Sequence, residues 1–234
     1  ISDLHLDQLN EYNASNLITP QGDILILAGD ICHIQTISKH SSFFEYISLY
    51  FHYVLYIPGN HEFYNDNNWK IFEMETYIKH FLCKYKNIFY LNNASVIIEN
   101  ILFTGSCLWC DPKCEPPSWF LVNLDKTEIK NLYSKSLNYL KCVSDVNKNR
   151  LKHVIVTHYP SIRQNFNTRR LKYKKYEEYY QNPEILLNYT PAIWIFGHTH
   201  KNFSAYKNYT LYLSNQRKDE SYSKNLAITI IYAR

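Results

Sequence analysis

Four short apolar runs constrain the fold of this chain more than any other feature, because a group able to bind metal follows each of them at once. The runs cover Ile24–Ala28, Tyr53–Ile57, residues 154–157 and residues 193–196. Near-continuous apolar runs of this length predict buried strands in a sheet that is covered on both faces. Because the carboxyl ends of parallel strands open on a common crevice, we expect the groups that follow the runs to meet there.

The groups behind the runs combine glycines with histidines and with acidic or amide side chains. They are Gly29-Asp30, Gly59-Asn60-His61-Glu62, His158 and Gly197-His198-Thr199-His200, and Asp3-Leu4-His5 at the amino terminus adds a fifth. The chain has only five glycines and ten histidines, and these segments hold three of the glycines and five of the histidines. Glycine is favoured where the backbone turns sharply or comes close to a ligand. Each residue alone is better explained as a cap, a turn or a core residue, but their joint occurrence predicts a metal centre.

Segments with helical spacing separate the apolar runs. Apolar residues three and four apart predict helices over residues 43–51, 71–81 and 129–143. Residues 96–98 and 101–104, on either side of Glu99-Asn100, predict a hairpin, and residues 209–213 and 226–231 predict two further strands. No linker rich in Pro, Gly or Ser divides the chain, so we predict one α/β domain over residues 1–234.

Composition excludes several classes of protein. With 46% hydrophobic and 20% charged residues, the chain is neither disordered nor a coiled coil. No apolar run approaches the roughly 18 residues that a membrane span requires, so we expect no membrane partner. The net charge of +4 is too small to argue for nucleic acid on its own.

Three of the six cysteines, Cys107, Cys110 and Cys114, have a spacing that suits zinc, but no fourth ligand stands at a suitable distance in the sequence. Reduced thiols packed partly in a core are the better explanation, and they favour a cytoplasmic location. The chain begins at Ile1, within what resembles a strand end. We therefore expect residues upstream of it, and a removed targeting segment remains open.

Taken in order, the motifs Asp-x-His, Gly-Asp, Gly-Asn-His-Glu, a strand-end His and Gly-His-x-His resemble the calcineurin-like metallophosphoesterases. The pattern is complete from Asp3 to His200. Residues 26–30, residues 57–64 and Leu108-Trp109 are similar to a bacterial-type branch of uncharacterised phosphoesterases. The resemblance implies two facing β-sheets flanked by helices, a four-layer sandwich with a dinuclear metal site at the carboxyl ends of the strands.

The resemblance also implies a role for each residue of the site. One metal ion would be held by Asp3, His5, Asp30 and His200, and the second by Asp30, Asn60, His158 and His198, with Asp30 bridging the two. Oxygen and nitrogen donors suit Mn, Fe or Zn, with Co and Ni also possible. Two cations about 3.5–4 Å apart can share a hydroxide for in-line attack on phosphorus. His61 would then protonate the leaving oxygen as the general acid.

Three further features have two explanations each. His33 lies just past Asp30 and either approaches the substrate or, as we favour, is a solvated loop histidine. Glu62 either supports a metal ligand or is an acidic residue in the first turn of a helix. A basic run contains Arg163, Arg169, Arg170, Lys172, Lys174 and Lys175. It is either a lid that meets an anionic substrate or, more in keeping with the interleaved tyrosines, a solvated helix face.

The sequence therefore predicts a dinuclear metal-dependent phosphoesterase that acts on a phosphomonoester or a small phosphodiester. A nuclease or a cyclic-nucleotide phosphodiesterase is the nearest alternative, so nucleic acid is a possible but not a favoured partner. A phosphatase-like scaffold without catalysis ranks lower, because every expected ligand position from Asp3 to His200 is filled. The oligomeric state stays open.

Overall fold

Two β-sheets packed face to face form the centre of the computed structural model, which describes residues 1–64, 69–111, 124–148, 151–162, 182, 184–185 and 187–217. The first sheet has three parallel strands, β1 (Ile24–Ala28), β2 (Tyr53–Ile57) and β3 (Ile88–Tyr90). The second has six, in the spatial order β4 (Ala94–Ile98), β5 (Ile101–Ser106), β6 (Lys152–Thr157), β7 (Ile193–Ile195), β9 (Thr210–Ser214) and β8 (Phe203–Lys207). Its four inner strands are parallel, and β4 and β8 are antiparallel edge strands.

Side chains along the inner strands alternate between two cores, as the two-residue period of a strand requires. The core between the sheets includes Ala28, Leu55, Ile57, Val154, Val156, Ile193 and Ile195. The intervening side chains face the helices, among them Leu27, Tyr56, Ile155 and Trp194. Both faces of each inner strand are therefore buried, which explains why the strands read as continuous apolar runs.

Helices cover the outer faces of the sheets. α1 (Ala14–Leu17), α2 (Ser41–Tyr50) and α3 (Ile71–Leu82) precede β4, and α4 (Lys126–Val146) follows β5. α2 and α3 contact the first sheet, and α4 contacts the second. The predicted class, two facing sheets flanked by helices, is confirmed. Within the described segments, no helix is both long enough and apolar enough to cross a bilayer.

Most of the predicted elements are confirmed close to their bounds. β1 and β2 have the predicted bounds, β6 starts two residues earlier than predicted, and β7 ends one residue earlier than predicted. The hairpin of β4 and β5 turns at Glu99 and Asn100, whose φ angles of 46° and 63° are those of a two-residue type I′ turn. β3 and β8 were not predicted, and the strand expected over 226–231 lies outside the described residues. The single domain over residues 1–234 stays a prediction.

His153 on β6 is a buried histidine outside the strand-end cluster. Its Nε2 lies 2.8 Å from Oγ1 of Thr104 on the neighbouring strand, and its Nδ1 has no hydrogen-bond partner within the described part of the chain. Burial lowers the pKa of His153 to about 4. The folded chain therefore holds this imidazole neutral at a pH where an unfolded chain would protonate it.

This difference predicts a loss of stability in mild acid. Below about pH 6.5 the imidazole of His153 binds a proton in the unfolded chain, whereas in the folded chain it stays neutral until about pH 4. The free energy of unfolding therefore falls as the pH is lowered through this range. Between pH 7 and pH 5 we expect the free energy of unfolding in urea to fall by about 2 kcal/mol more in the wild type than in His153→Gln. His80→Gln, at an exposed position, is the matched control and should keep the wild-type pH dependence. Equal pH dependence in wild type and His153→Gln would contradict this account of the buried imidazole.

Candidate functional site

The side chains that follow the predicted strands converge at one edge of the sheets. These side chains form two groups. Within each group, the potential ligand atoms all lie within 4.8 Å of one another. The first group is Asp3, His5, Asp30 and His200, and the second is Asp30, His158 and His198. These are six of the seven residues predicted as metal ligands, and Asp30 belongs to both groups.

Asp30 lies between the two groups with one carboxylate oxygen directed to each. Its Oδ1 is 3.2 Å from Nε2 of His158, and its Oδ2 is 3.9 Å from Nε2 of His5. Burial acts to raise the pKa of Asp30, but the histidines around it, His158 foremost, hold that pKa well below its ordinary range. The carboxylate is therefore ionised and placed to bridge two cations.

Asn60, the seventh predicted ligand, adjoins the second group. Its Oδ1 is 3.1 Å from Nε2 of His158, and its Nδ2 donates a hydrogen bond to the hydroxyl of Tyr64 at 2.7 Å. That bond orients the amide so that its oxygen, the atom able to bind metal, faces the histidine. His198 completes this side, with its ring 5.0 Å from the ring of His158.

The spacing of these atoms suits divalent ions. Ligands about 2.1 Å from an ion, at tetrahedral to octahedral angles, lie roughly 3–3.5 Å from one another. Nε2 of His200 is 3.4 Å from Nε2 of His5 and 3.4 Å from Oδ1 of Asp3, which matches that separation. The donor set of imidazole nitrogens, carboxylate oxygens and one amide oxygen suits Mn, Fe or Zn.

His158 shows how the surroundings prepare a ligand. Its Nδ1 lies 2.9 Å from the backbone oxygen of Ala28, so the other ring nitrogen is left to face Asp30 and Asn60. Burial lowers the pKa of His158, but Asp30, Asp3 and the Ala28 carbonyl outweigh it and raise that pKa to about 9. A cation bound at Nε2 would replace the proton that these negative groups favour.

The strand ends approach one another so closely that two positions admit only glycine. A Cβ at Gly29 would overlap the ring of His158 and the backbone of Gly59, and Gly29 has a φ of +86°. A Cβ at Gly59 would overlap the Asp30 carboxylate. The glycines that the sequence placed beside the ligands therefore allow the turns after β1 and β2 to touch.

His61 lies at the rim of the two groups and belongs to neither. Its backbone N–H donates to Oδ1 of Asp30 at 2.9 Å, and its ring Nε2 is 3.9 Å from Oδ2 of the same carboxylate. The side chain is 25% exposed, which leaves the ring accessible from the open side of the site. Burial lowers the pKa of His61 from its ordinary value.

The geometry agrees with the outcome of sequence comparison. A sequence model of calcineurin-like phosphoesterases matches residues 1–202. The chain belongs to this family. Metal-dependent hydrolysis of phosphate esters is the general activity that membership supports, and the clustered ligands are those such chemistry needs.

Two individual proteins show how far this phosphoesterase similarity extends. An uncharacterized protein of Acanthamoeba polyphaga mimivirus is 27% identical in an alignment of length 169 that covers 67% of this chain. The chain spans only 55% of the length of that relative. A solved structure of phosphopantetheinyl hydrolase (PptH) from Mycobacterium tuberculosis has a TM-score of 0.72 at 17% identity, covering 96% of this chain and 92% of that one. At this identity the second comparison shows a shared fold.

Glu62 lies beneath the two ligand groups and belongs to neither of them. Its carboxylate accepts hydrogen bonds from the backbone N–H groups of Asp30 at 3.0 Å, Ile31 at 2.8 Å and Gly59 at 2.7 Å. The hydroxyl of Tyr56 donates a fourth at 2.9 Å. Burial, followed by the charge of Asp30, raises the pKa of Glu62 to about 7. Of the two explanations that the sequence allowed, support of a metal ligand fits these contacts.

We expect Glu62→Gln to destabilise the fold and to weaken metal binding. A glutamine amide has one acceptor oxygen, so it turns an N–H group toward two of the four donors and leaves them unpaired. Each unpaired buried donor costs about 1–3 kcal/mol, so the free energy of unfolding should fall by about 2–6 kcal/mol. Urea unfolding and metal titration measure the two effects.

Glu11→Gln, on an exposed part of the chain, is the control for Glu62→Gln and should change the free energy of unfolding by less than about 0.5 kcal/mol. If Glu62→Gln is as stable as this control and binds metal normally, the carboxylate does not hold the turns together.

Other candidates from the sequence are placed as follows. His33 lies in the loop that precedes residue 34, as expected, but its side chain is only 30% exposed and its Nε2 lies 3.6 Å from Asp7. Trp109 is buried against Phe63 and Tyr159. Cys107 is a buried free thiol and Cys110 is buried as well, as the core explanation requires, while Cys114 and the basic run lie outside the described residues.

Three supporting residues were missed by the sequence reasoning. Gln216 is buried and accepts the backbone N–H of His200 at 2.6 Å, and Tyr159 packs its ring 3.9 Å from that of His198. Tyr64, the partner of Asn60, stood at the end of residues 57–64, which carried part of the family resemblance. A polar residue shortly after the predicted strand 209–213 was the available signal for Gln216.

Proposed function

We propose that this chain hydrolyses a phosphomonoester or a small phosphodiester with two divalent ions, for which Mn, Fe and Zn are the candidates. The observation that carries the proposal is the buried carboxylate of Asp30, which belongs to both ligand groups. One of its oxygens faces His158 and the other faces His5. A single carboxylate shared in this way is the arrangement that two ions need when they act on one phosphoryl group.

One ion would be held by Asp3, His5, Asp30 and His200, and the other would be held by Asp30, Asn60, His158 and His198. The ions would supply positive charge that polarises phosphoryl oxygens and lowers the pKa of a water molecule. Glu62 and the Ala28 carbonyl keep Asp30 and His158 in place without touching the substrate. The site is thus organised before the substrate arrives.

We assign His61 to the protonation of the leaving oxygen. It is held by its backbone against Asp30, yet its side chain stays partly exposed and outside both ligand groups. An imidazole in that position can give a proton to an ester oxygen as the bond to phosphorus breaks. The lowered pKa makes its protonated form a stronger acid.

Small substrates are favoured over long nucleic acid. The net charge of +4 is modest, and contact with many phosphates normally needs a larger basic surface. The solved neighbour is a phosphopantetheinyl hydrolase, so a phosphopantetheinyl ester belongs among the diesters to be tested. The buried free thiols Cys32 and Cys107 support a reducing compartment, in line with the predicted cytoplasmic location.

The deciding experiment is a substrate screen with protein loaded separately with Mn²⁺, Fe²⁺ and Zn²⁺. Aryl and alkyl phosphomonoesters, a small aryl diester, a phosphopantetheinyl ester, cyclic nucleotides and single-stranded DNA are compared by kcat/KM. We expect turnover of a monoester or small diester that chelation abolishes and added metal restores.

Two results of the screen would contradict the proposal. A preference for DNA that falls steeply with salt would support the nuclease alternative, and its loss on replacing Lys172, Lys174 and Lys175 by alanine would assign it to the basic run. Metal binding without turnover of any ester would support a scaffold.

A further inference from the structure

The ring of His61 is oriented by something other than a hydrogen bond. Its Nδ1 is buried and has no hydrogen-bond partner among the described residues, and its Nε2 is 3.9 Å from the nearest Asp30 oxygen, beyond hydrogen-bond distance. A general acid needs a fixed direction, because proton transfer requires the donor atom to lie within hydrogen-bond reach of the leaving oxygen. Some other contact must therefore restrict rotation of this side chain.

Rings surround His61 on several sides. The ring of Tyr64 lies 4.3 Å away at 39°, and the ring of His5 meets it edge-on at 4.5 Å and 80°. The ring of His33 is stacked nearly parallel to it, 5.8 Å away at 27°. Planar rings at such separations have preferred relative orientations, so packing can set the angle of an imidazole.

His33 is itself fixed, which a packing partner must be if it is to orient another ring. Asp7 accepts the backbone N–H of His33 through Oδ1 at 3.1 Å, and its Oδ2 is 3.6 Å from Nε2 of the ring. Thr36 donates its backbone N–H and its hydroxyl to the carbonyl of His33. Three hydrogen bonds thus hold the backbone of His33, and the far edge of its ring lies beside the Asp7 carboxylate.

We propose that His33 is a positioning residue for His61: stacking of the Asp7-held imidazole against His61 sets the direction in which the acid gives its proton. The proposal rests on the proposed function, in which His61 protonates the leaving oxygen. A catalytic histidine is usually oriented by a hydrogen-bonded partner, whereas here a flat ring orients it. His33 acts through His61 and needs no contact with substrate.

Two substitutions separate stacking from polar contact. His33→Phe keeps a flat ring and removes both ring nitrogens, whereas His33→Gln keeps hydrogen-bonding atoms and removes the ring. We expect His33→Gln to lower kcat for an alkyl phosphate by about tenfold to a hundredfold, part of the contribution of a general acid, and His33→Phe to stay within about threefold of wild type. Loss with a 4-nitrophenyl ester should be smaller, because that leaving group needs little protonation.

Three controls make the result specific to His61. Both variants should retain the wild-type metal content. In a His61→Ala background, His33→Gln should cause no further loss, because a residue that acts through His61 has nothing left to orient. His80→Gln, an exposed histidine, should behave as wild type throughout.

NMR of the wild-type protein loaded with diamagnetic Zn²⁺ tests the arrangement without turnover. With selectively labelled histidine, we expect His33→Gln to change the shifts of the His61 ring protons, because the ring current of His33 is lost while those of Tyr64 and His5 remain, and we expect His33→Phe to change them less. If no ester is hydrolysed, the proposed function fails, while these shifts still decide whether His33 orders the ring.

Any of four results would overturn the proposal. The first is activity retained by His33→Gln and lost by His33→Phe, which would show that a ring nitrogen contacts the substrate. The second is wild-type behaviour of both variants. The third is a full additional loss in the His61→Ala background. The fourth is a His33→Gln spectrum in which the shifts of the His61 ring protons are those of the wild type.

Discussion

Asp30→Ala is expected to empty both metal positions at once and to lower hydrolysis of every phosphate ester by at least about 10³-fold. Asp30 is the only residue common to the two groups of potential ligands in the described part of the chain. Its removal takes away one ligand from each ion and the negative charge between them. A loss of several kcal/mol of transition-state stabilisation corresponds to this factor in rate.

Metal analysis of the dialysed variant and kcat/KM with an aryl phosphate measure the two effects of Asp30→Ala. Asp23→Ala is the matched control, because Asp23 is 77% exposed and its partner His52 is exposed as well. It should bind two ions and keep wild-type activity. Retention of either ion at full occupancy in Asp30→Ala would show that the carboxylate does not bridge.

His61→Ala is expected to keep both metal ions and to lose turnover, most strongly for poor leaving groups. Removing a general acid costs about 10²–10⁴-fold in rate when the leaving oxygen needs a proton. A 4-nitrophenyl ester departs readily as an anion, so its hydrolysis should fall much less. The dependence of log kcat on leaving-group pKa should therefore be steeper in the variant than in the wild type.

His80→Ala serves as the control for His61→Ala, since it removes an exposed imidazole. Loss of a metal ion in His61→Ala would make His61 a ligand. Equal losses across leaving groups would show that it positions substrate instead of donating a proton.

Much of this architecture follows from the sequence because the strands are buried on both faces. Burial of alternate residues in two cores forces continuous apolar runs such as Ile24–Ala28, which are easy to recognise. The parallel direction of those strands then brings their carboxyl ends together, so His158 and Asp30 meet although they are distant in the chain. Strand ends and ligand groups were predictable for the same reason.

Short edge elements were not predictable in this way. β3 has three residues, and β8 is an edge strand whose side chains are mostly exposed or half-buried, so neither has a clear pattern. In α4 the buried side chains include Tyr133, which the apolar spacing does not mark. Amphipathic tyrosine is difficult to place from spacing alone.

The backbone of the site is the part that local patterns conceal most. Asp3, His5, Asp30, His198 and His200 all have φ between 45° and 70°, a region that non-glycine residues enter infrequently. Contacts from distant segments support these conformations, as Glu62 does for Asp30 and Gln216 for His200. Such contacts depend on the assembled fold, and a linear motif carries no sign of them.

Anomalous diffraction from crystals of the wild-type chain grown with Mn²⁺ tests the central claim most directly, because it locates the ions and counts them. We expect two peaks about 3.5–4 Å apart, one between His5 and His200 and one beside His158, with one oxygen of Asp30 bound to each. A single peak at full metal saturation, or two peaks of which one lacks Asp30 as a ligand, would contradict the dinuclear centre.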